Sequence, residues 1–423
     1  MFPRGHPGNA YEHFDDVDSE EEDEIHSNSL TLTPFEWEPD EDSKIFADYN
    51  SVVTRFQQRN FPETYYLAPR IYGYNTSDTK WFIHVYIQST SILWNTDLTG
   101  LSRPFIPLKI CVKSSTNECS WSGRSLFDPM LTHHAKVLEH GLSIGPLGGE
   151  DSGSFGGYVE FDGKTVGLSC CHVTCPLDSP GIVYGEKSES IVMSNSDGDY
   201  QEIQKRVGET VDKWMSQIEK GDKSDECRLS LEAAIRVKER NTASVDERRV
   251  GEVIACSECL RTDRLDWSLF TIAPERVGRN EFPDLRLYPH LPPHPTDIIA
   301  PIPFNQDVIC LSRTTGRSTG YLRKLRPSKL MYDRQRNLSK RTLYWSIYIL
   351  SVGRLGPVGS MPGDSGAWVY ETDEGRPVLM LIGGPTEREG LCFSLIEIFA
   401  EIEQLTGHKP KLPLYNVSSS SVP

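Results

Sequence analysis

The sequence predicts a mainly β protein of the barrel type, on the basis of three observations. Short runs of apolar and β-branched residues recur along the chain, with turn residues between them. Two of these runs are joined by Asp162-Gly163, a dipeptide that strongly favours a tight hairpin. The last apolar pattern, residues 394–407, has a helical period, and Gly407 is a suitable stop. Many short strands followed by one closing helix indicate a β-barrel fold.

The strands and helices are predicted in the following order. The hairpin around Asp162-Gly163 uses residues 158–161 and 164–169. Apolar residues at spacings of three and four then predict two amphipathic helices, one around Ile203 to Ile218 and one at 229–237, so a helical insertion occupies about 198–245. Later strands are predicted at 250–255, 265–272, 308–311, 342–350, 367–370 and 377–382.

Composition divides the chain into four predicted regions. Residues 1–43 form an acidic arm that we expect to be disordered, because it has too few apolar residues to offset the cost of ordering. Residues 44–136 have the pattern of a small α+β domain of unknown role, with a helix near Val52 and strands at 81–87 and 105–112. The barrel region is expected at 137–410, and residues 411–423 are expected to be a flexible tail.

The net charge of −16 belongs almost entirely to the acidic arm. Residues 1–42 contain fourteen acidic side chains and one basic residue, Arg4, whereas the rest of the chain is nearly neutral. The N-terminal residues contain no apolar run of the length of a secretory signal, and no segment reaches about 18 consecutive apolar residues. We therefore expect a soluble intracellular protein with no membrane partner.

Ten cysteines are expected to be free thiols packed as small apolar side chains. An alternative is a zinc tetrad drawn from two clusters, one with Cys170, Cys171 and Cys175, the other with Cys256 and Cys259. Adjacent cysteines such as Cys170 and Cys171 chelate a metal poorly. We therefore predict no metal and no cofactor.

The motif Gly363-Asp364-Ser365-Gly366 predicts a nucleophilic serine. A catalytic serine needs a tight turn that directs two backbone N–H groups at the point where an oxyanion develops. Glycines allow that turn, and the N–H groups of Gly363 and Ser365 are the expected donors of the oxyanion hole. The alternative is a plain turn between two strands.

A serine hydroxyl also needs a histidine to take its proton and a carboxylate to orient that histidine. His172 stands where the second hairpin strand ends, and Asp266 stands at the head of an apolar strand, a position that favours burial. Asp263, in a polar stretch three residues earlier, is the alternative carboxylate.

The order His172, Asp266, Ser365, each in its local setting, resembles the trypsin/chymotrypsin family of serine proteases, and more narrowly the intracellular trypsin-like proteins of filamentous fungi. The resemblance covers about 137–405 and also includes the segments Gly156-Gly157-Tyr158, Leu168 to Val173, Gly251-Glu252-Val253 with Ser257, Asp266-Trp267-Ser268-Leu269, and Thr314-Thr315-Gly316 with Gly320. It implies two six-stranded antiparallel β-barrels, with Ser365 as nucleophile, His172 as general base and acid, and Asp266 as its orienting carboxylate.

Two departures from that family concern activation and disulfides. The digestive enzymes have a disulfide-bonded cysteine directly after the catalytic histidine, where this chain has Val173. They also free a new N-terminus, which forms a salt bridge with the aspartate beside the nucleophile. Asp364 therefore needs another partner or a prior cleavage.

The resemblance also implies a specificity pocket without a charged base. The residue six before the nucleophile is Gly359, and Gly383, Gly384 and Gly390 suit the pocket walls. We expect a protein or peptide substrate with an uncharged, apolar or aromatic side chain before the scissile bond. The expected function is a serine endopeptidase; the alternative is a catalytically silent protease-fold module that binds proteins or signals.

Residues 313–341 form a basic strip with ten basic residues and one acidic residue, Asp333. We do not expect a nucleic-acid partner, because nothing else in the chain resembles a nucleic-acid module. One hypothesis is an intramolecular contact between this strip, placed in the second barrel, and the acidic arm; the alternatives are a solvated hairpin at the strip and an acidic arm that only improves solubility. An arm of about 40 flexible residues reaches roughly 35 Å, enough to cross a domain.

Overall fold

The fold is that of a computed structural model. It describes residues 44–58, 65–72, 80–87, 108–112, 136–149, 152–176, 181–221, 224–240, 242–257, 265–286, 288–298, 306–323, 328–333, 338–343, 345–352, 363–386 and 389–415. The acidic arm predicted at 1–43 lies outside these residues, as do Gly359, Cys259 and Asp263. No helix among the described residues is both long and apolar enough to cross a bilayer.

The described chain contains six α-helices, which are α1 Lys44–Gln58, α2 Cys171–Thr174, α3 Asp197–Glu219, α4 Asp225–Arg240, α5 Val245–Arg248 and α6 Leu395–Thr406. The eighteen strands are β1 Tyr65–Tyr72, β2 Lys80–Ile87, β3 Leu108–Val112, β4 Ser143–Pro146, β5 Gly153–Ser154, β6 Gly157–Phe161, β7 Lys164–Ser169, β8 Ile191–Met193, β9 Arg249–Cys256, β10 Ser268–Thr271, β11 Asp307–Ser312, β12 Gly316–Arg323, β13 Ser328–Asp333, β14 Leu338–Leu343, β15 Trp345–Val352, β16 Trp368–Glu371, β17 Pro377–Thr386 and β18 Glu389–Ser394.

One compact unit combines the N-terminal region with a hairpin from much later in the chain. Its five-stranded sheet has the order β14-β13-β1-β2-β3, in which only the β2–β3 pair is parallel. Among the described residues, the unit comprises α1, β1 to β3, β13 and β14. Helix α1 contributes the buried side chains of Tyr49, Val52 and Val53.

This arrangement corrects the placement of the basic strip in the second barrel. Only its first part, through β12, belongs to the barrel, whereas β13 and β14 join the five-stranded sheet. Within the barrel part, Arg313 and Arg317 already pair with Asp199 and Asp284. The contact with the acidic arm stays a prediction.

The other unit contains a seven-stranded antiparallel sheet with the order β5-β4-β8-β9-β10-β7-β6. The predicted hairpin is confirmed as β6 and β7, and Asp162 and Gly163 have φ values of 47° and 69°, as a two-residue turn with left-handed positions requires. Helices α3, α4 and α5 form the predicted insertion between β8 and β9. Ser196 caps α3 by accepting a hydrogen bond from the N–H of Asp199.

The second half of this unit is a closed barrel of six strands, β11-β12-β15-β18-β17-β16. Helix α6 follows β18 directly and ends at Gly407, which has a φ of 76° and hydrogen-bonds back to Glu403. The mainly β fold class, with a helical insertion and a C-terminal helix, is confirmed, but the first of the two expected six-stranded barrels is a seven-stranded sheet. Of the predicted tail, Lys411 pairs with Glu160 and Leu412 is buried, so the packed chain extends past residue 410.

A buried aromatic cluster joins the sheet to the barrel. The imidazole of His140 lies within 6.1 Å of the rings of Phe155, Trp368 and Tyr370. A Cβ on Gly157 would come within 2.6 Å of the Trp368 ring, so a glycine is needed for this close approach. The segments that carry the candidate site lie above this shared core.

Candidate active site

His172 lies in the four-residue helix α2, directly after β7. Its neighbours Cys171, Val173 and Thr174 are buried, and they fix the turn. The hydroxyl of Thr174 donates to Ser268 Oγ at 2.6 Å, which ties the turn to the start of β10. The imidazole of His172 is therefore the exposed side of a packed turn, with 30% of its side chain exposed.

Asp266 contacts His172 through both carboxylate oxygens. The backbone N–H of His172 donates to Oδ1 at 3.1 Å, and the imidazole Nδ1 hydrogen-bonds to Oδ2. Burial raises the pKa of the Asp266 carboxyl, but the charge of His172 and hydrogen bonds from His172 and Cys171 outweigh this effect, so the pKa lies below its ordinary value. An ionised Asp266 keeps the proton of neutral His172 on Nδ1 and leaves Nε2 as the acceptor.

Ser365 lies on a sharp turn between two glycines with left-handed backbone. Gly363 and Gly366 have φ values of 94° and 95°. The N–H of Gly366 donates to Leu381 at 2.7 Å, which anchors the turn on the neighbouring strand β17. The hydroxyl of Ser365 donates to the carbonyl of Ile382 at 3.2 Å, on the same strand.

The turn that carries His172 and the turn that carries Ser365 meet at Gly153. A Cβ built on Gly153 would lie 2.4 Å from the side chain of Val173 and 2.7 Å from the carbonyl oxygen of Ser365. That same carbonyl accepts a hydrogen bond from the N–H of Ser154 at 2.8 Å. Residues that are almost 200 positions apart in the sequence are thus brought to one place, where the sheet meets the barrel.

The backbone N–H groups of Gly363 and Ser365 have no acceptor among the described residues. Two such donors beside the serine are what an oxyanion hole requires. The glycine at 363 has a further structural reason, since a Cβ there would lie 1.9 Å from the guanidinium of Arg313 and 2.6 Å from the hydroxyl of Thr314. The space beside Gly363 is therefore already filled by protein.

Asp364, the residue before the nucleophile, is fully buried and held by the loop between β11 and β12. Its carboxylate accepts hydrogen bonds from the backbone N–H groups of Thr314 and Thr315, both at 2.9 Å, and from the Thr315 hydroxyl. These contacts supply a partner for Asp364 inside the chain. The sequence revealed the Thr314-Thr315-Gly316 motif only as part of a resemblance, with no indication of this role.

A buried ion pair links the helical insertion to the same loop. The guanidinium of Arg313 makes two hydrogen bonds with the carboxylate of Asp199, in the first turn of α3. The side chains are only 6% and 3% exposed. Sequence reasoning did not identify this pair, because Asp199 reads as an ordinary acidic residue of a helix N-terminus.

Three of the four glycines predicted to line the specificity pocket are among the described residues. Gly383, one residue beyond the carbonyl that accepts the Ser365 hydroxyl, has a φ of 142° and no heavy atom within 4 Å of a built Cβ. Gly384 follows it in β17, and Gly390 is buried in the paired strand β18. Gly359 lies outside the described residues, so its place at the pocket base stays a prediction.

Two groups of side chains have the composition of metal ligands. Cys170, His172 and Asp266 form one group, in which the histidine and the carboxylate are already hydrogen-bonded to each other. Cys171, Cys175 and Cys256 form the other, which is fully buried. Cys171 is also disulfide-bonded, which corrects the expectation that all ten cysteines are free thiols.

No protein-family model and no curated protein sequence matches this chain. Among solved structures it is similar to Thermobifida fusca Protease A, with a TM-score of 0.35, 10% identity, and coverage of 66% of this chain and 100% of that one. It is also similar to Cellulomonas bogoriensis chymotrypsin, with a TM-score of 0.34, 10% identity, and coverage of 64% and 97%. It is similar as well to the Nocardiopsis protease NAPase, with a TM-score of 0.33, 12% identity, and coverage of 65% of this chain and 98% of that one. Both the identities and the TM-scores are low, and the proposal below rests on the geometry of the chain itself.

Proposed function

We propose that this protein is a serine endopeptidase that hydrolyses peptide bonds through an acyl-enzyme intermediate. The observation that carries the proposal is the pairing of His172 with Asp266 on a turn that, like the backbone of Ser365, lies against Gly153. A carboxylate and an imidazole, both half-buried and hydrogen-bonded to each other, and a serine on a glycine-flanked turn are the three groups that this chemistry needs.

In the proposed reaction, Ser365 Oγ attacks the scissile carbonyl carbon while His172 Nε2 takes its proton. The new C–O bond forms as the carbonyl π electrons move to the oxygen, which the N–H groups of Gly363 and Ser365 stabilise. His172 then gives its proton to the leaving amine, and the C–N bond breaks. Water repeats the sequence on the acyl-enzyme, with Asp266 holding the imidazole throughout.

The hydrogen bonds of Asp364 support activity of the intact chain. Thr314 and Thr315 provide donors to this carboxylate from within the barrel, so a newly freed N-terminus is not needed for that purpose. Because Asp364 lies between the two oxyanion donors, its anchoring orders the turn on which both N–H groups stand.

Protein or peptide chains are the proposed substrates. The open face of Gly383 lies next to the candidate nucleophile and could accept an extended peptide beside β17. With no carboxylate predicted at the pocket base, we expect cleavage after uncharged, apolar or aromatic side chains.

One observation favours a second candidate, a protease-fold module that binds proteins without cleaving them. The Ser365 hydroxyl donates to Ile382, whereas attack requires its proton to pass to His172. Hydrogen bonds of this type are often formed only when substrate is bound, so the observation leaves the hydrolase as the better-supported function.

Hydrolysis of a library of fluorogenic peptides by the full chain tests the proposal, with Ser365→Ala as the inactive variant and Ser230→Ala, in the helical insertion, as the matched control. We expect turnover in the wild type and in Ser230→Ala, and a loss of about 10⁶ in turnover in Ser365→Ala. Equal hydrolysis by wild type and Ser365→Ala would reject Ser365 as nucleophile. No hydrolysis of any peptide by the folded wild type would favour the binding module.

A further inference from the structure

Three cysteine sulfurs converge directly behind the turn that carries His172. Cys171 begins α2, Cys175 follows the last residue of α2, and Cys256 ends β9. Their Sγ atoms all lie within 4.8 Å of one another, and the Sγ atoms of Cys175 and Cys256 are 3.8 Å apart. All three side chains are buried. The proposed hydrolysis uses none of them.

The spacing of the sulfurs matches the coordination sphere of a thiophilic ion. A tetrahedral zinc ion with Zn–S bonds of about 2.3 Å holds its sulfur ligands about 3.8 Å from each other. Cys171 and Cys175 are separated by three residues, and the helical turn between them brings both sulfurs to the same side. Once Cys171 is reduced to a thiol, the three sulfurs therefore need only small shifts to contact one ion.

Adjacent cysteines chelate a metal poorly, but this group contains only one residue of the adjacent pair, Cys171. Cys170 is turned away from the cluster, and its Sγ donates to the carbonyl of Leu381 at 3.5 Å. The ligands within α2 would be Cys171 and Cys175, whose separation is common in zinc sites.

Polar groups around the sulfurs suit thiolates. The backbone N–H of Ile182 donates to Cys256 Sγ at 3.3 Å, and the hydroxyl of Thr174 lies 3.8 Å from Cys175 Sγ. An N–H donor such as that of Ile182 orients a metal-bound thiolate and stabilises its charge. A buried thiolate trio without an ion would otherwise be opposed by mutual repulsion.

In this structure Cys171 is disulfide-bonded, and a disulfide sulfur is not a zinc ligand. A dithiol reductant supplies the two electrons and two protons that break the S–S bond, becomes a disulfide itself, and leaves Cys171 and its former disulfide partner as thiols. We propose that the reduced chain binds one zinc ion through Cys171, Cys175 and Cys256, with the release of one proton from each thiol that becomes a thiolate. The fourth coordination position is filled by a donor outside this group.

The bound ion connects the two ends of α2 to the end of β9. Because His172 lies within that turn, zinc would fix the backbone that carries the imidazole without touching the reacting atoms. Oxidation of Cys171 removes one ligand and releases the ion, so occupancy of the site follows the redox state of the chain. The site does not depend on the proposed hydrolysis.

The test measures bound metal in the full chain, purified without chelator and dialysed with a non-thiol reductant. We expect about one zinc per chain by elemental analysis, and, after exchange for Co²⁺, the intense near-ultraviolet charge-transfer band of a thiolate–cobalt bond. Cys175→Ser and Cys256→Ser should each lower the affinity for zinc by more than about 100-fold. Cys170→Ser is the matched control and should keep the ion.

Two further measurements test the redox dependence of the zinc site and its independence from the proposed hydrolysis. Treatment with a thiol oxidant should release the zinc, and a dithiol should restore binding. Ser365→Ala should bind zinc as the wild type does, so that a failure of the proposed hydrolysis is distinguishable from a failure of this site. The proposal is wrong if the reduced wild type binds no zinc and gives no thiolate–cobalt band. It is also wrong if Cys170→Ser loses the ion as Cys175→Ser does, a result that would point to the group of Cys170, His172 and Asp266. Should a serine variant not fold, the wild-type cobalt spectrum decides.

Discussion

The hydroxyl and the backbone N–H of Thr315 both donate hydrogen bonds to the carboxylate of Asp364, the residue directly before Ser365. The carboxylate is fully buried, and without these donors its charge would be poorly solvated. Thr315 therefore helps to hold the turn that presents the candidate nucleophile and the two oxyanion donors. The partner of this buried carboxylate is thus supplied by the chain itself.

Replacing Thr315 with valine should lower kcat/KM by about tenfold or more. The substitution keeps the shape of the side chain and the backbone N–H, but it removes one hydrogen bond to a charged group, worth about 1.5–3 kcal/mol. Thr319→Val, in β12 of the same barrel, is the matched control and should leave kcat/KM unchanged. Equal activity of the two variants would show that Asp364 does not depend on the Thr315 hydroxyl.

Replacing Asp266 with asparagine should lower turnover by about 10⁴. The amide can no longer hold the neutral imidazole with its proton on Nδ1, nor stabilise the imidazolium that forms during the reaction. Asp307→Asn, at an exposed position at the start of β11, is the control and should keep full turnover. Near-normal turnover in Asp266→Asn would mean that another carboxylate, such as Asp263, orients His172, or that the protein does not use a catalytic triad.

Breaking the buried pair of Arg313 and Asp199 should destabilise the fold strongly. Asp199→Ala leaves the Arg313 guanidinium buried without its carboxylate, which costs about 3–5 kcal/mol in the free energy of unfolding. Asp225→Ala removes an exposed ion pair with Arg228 and should change the free energy by less than about 1 kcal/mol. Urea unfolding followed by fluorescence measures both, and similar small losses in the two variants would contradict the structural role of Asp199.

His140 should make the fold less stable as the pH falls from 6.5 towards 4. Burial lowers the pKa of His140 to about 4, against an opposing effect of its hydrogen bond to the Gly156 carbonyl, whereas the ordinary value is 6.5. Between these values the unfolded chain binds more protons than the folded chain, so stability decreases with decreasing pH. The full decrease in the free energy of unfolding is roughly 3 kcal/mol, since each pKa unit corresponds to about 1.4 kcal/mol.

Denaturant unfolding across this pH range measures the effect. In His140→Phe the pH dependence should be smaller by that amount, whereas His290→Gln, at an exposed position, should keep the wild-type dependence. If His140→Phe and the wild type lost stability equally between these pH values, the buried imidazole would not be the group responsible.

Local signals in the sequence were enough for part of the fold. The Asp162-Gly163 turn predicted its hairpin because the two left-handed positions are fixed by those two residues alone. Gly407 likewise ended the last helix as predicted. His172 and Asp266 are hydrogen-bonded to each other, as expected for residues at the end of one strand and the head of another, whereas their catalytic roles stay a prediction.

Contacts that depend on distant segments could not be predicted from the sequence. Arg313 and Asp199 are 114 positions apart, and neither has a local pattern that distinguishes a buried partner from a solvated charge. Strand β13 was not predicted, and only the last two residues of β14 fall within the strand predicted at 342–350. Alternation of side chains in any case does not reveal which sheet a hairpin joins. Cys171, Cys175 and Cys256 converge for the same reason, since β9 approaches α2 only through the tertiary fold.

The proposal that Ser365 is an activated nucleophile is tested most directly by the reaction of the intact wild-type chain with a labelled fluorophosphonate, followed by mass spectrometric mapping of the adduct. Only a serine activated by a neighbouring base reacts readily with this reagent. We expect one adduct per chain, on Ser365, formed without prior cleavage of the chain and absent from Ser365→Ala. Absence of labelling in the folded wild type, or an adduct on a different residue, would contradict it.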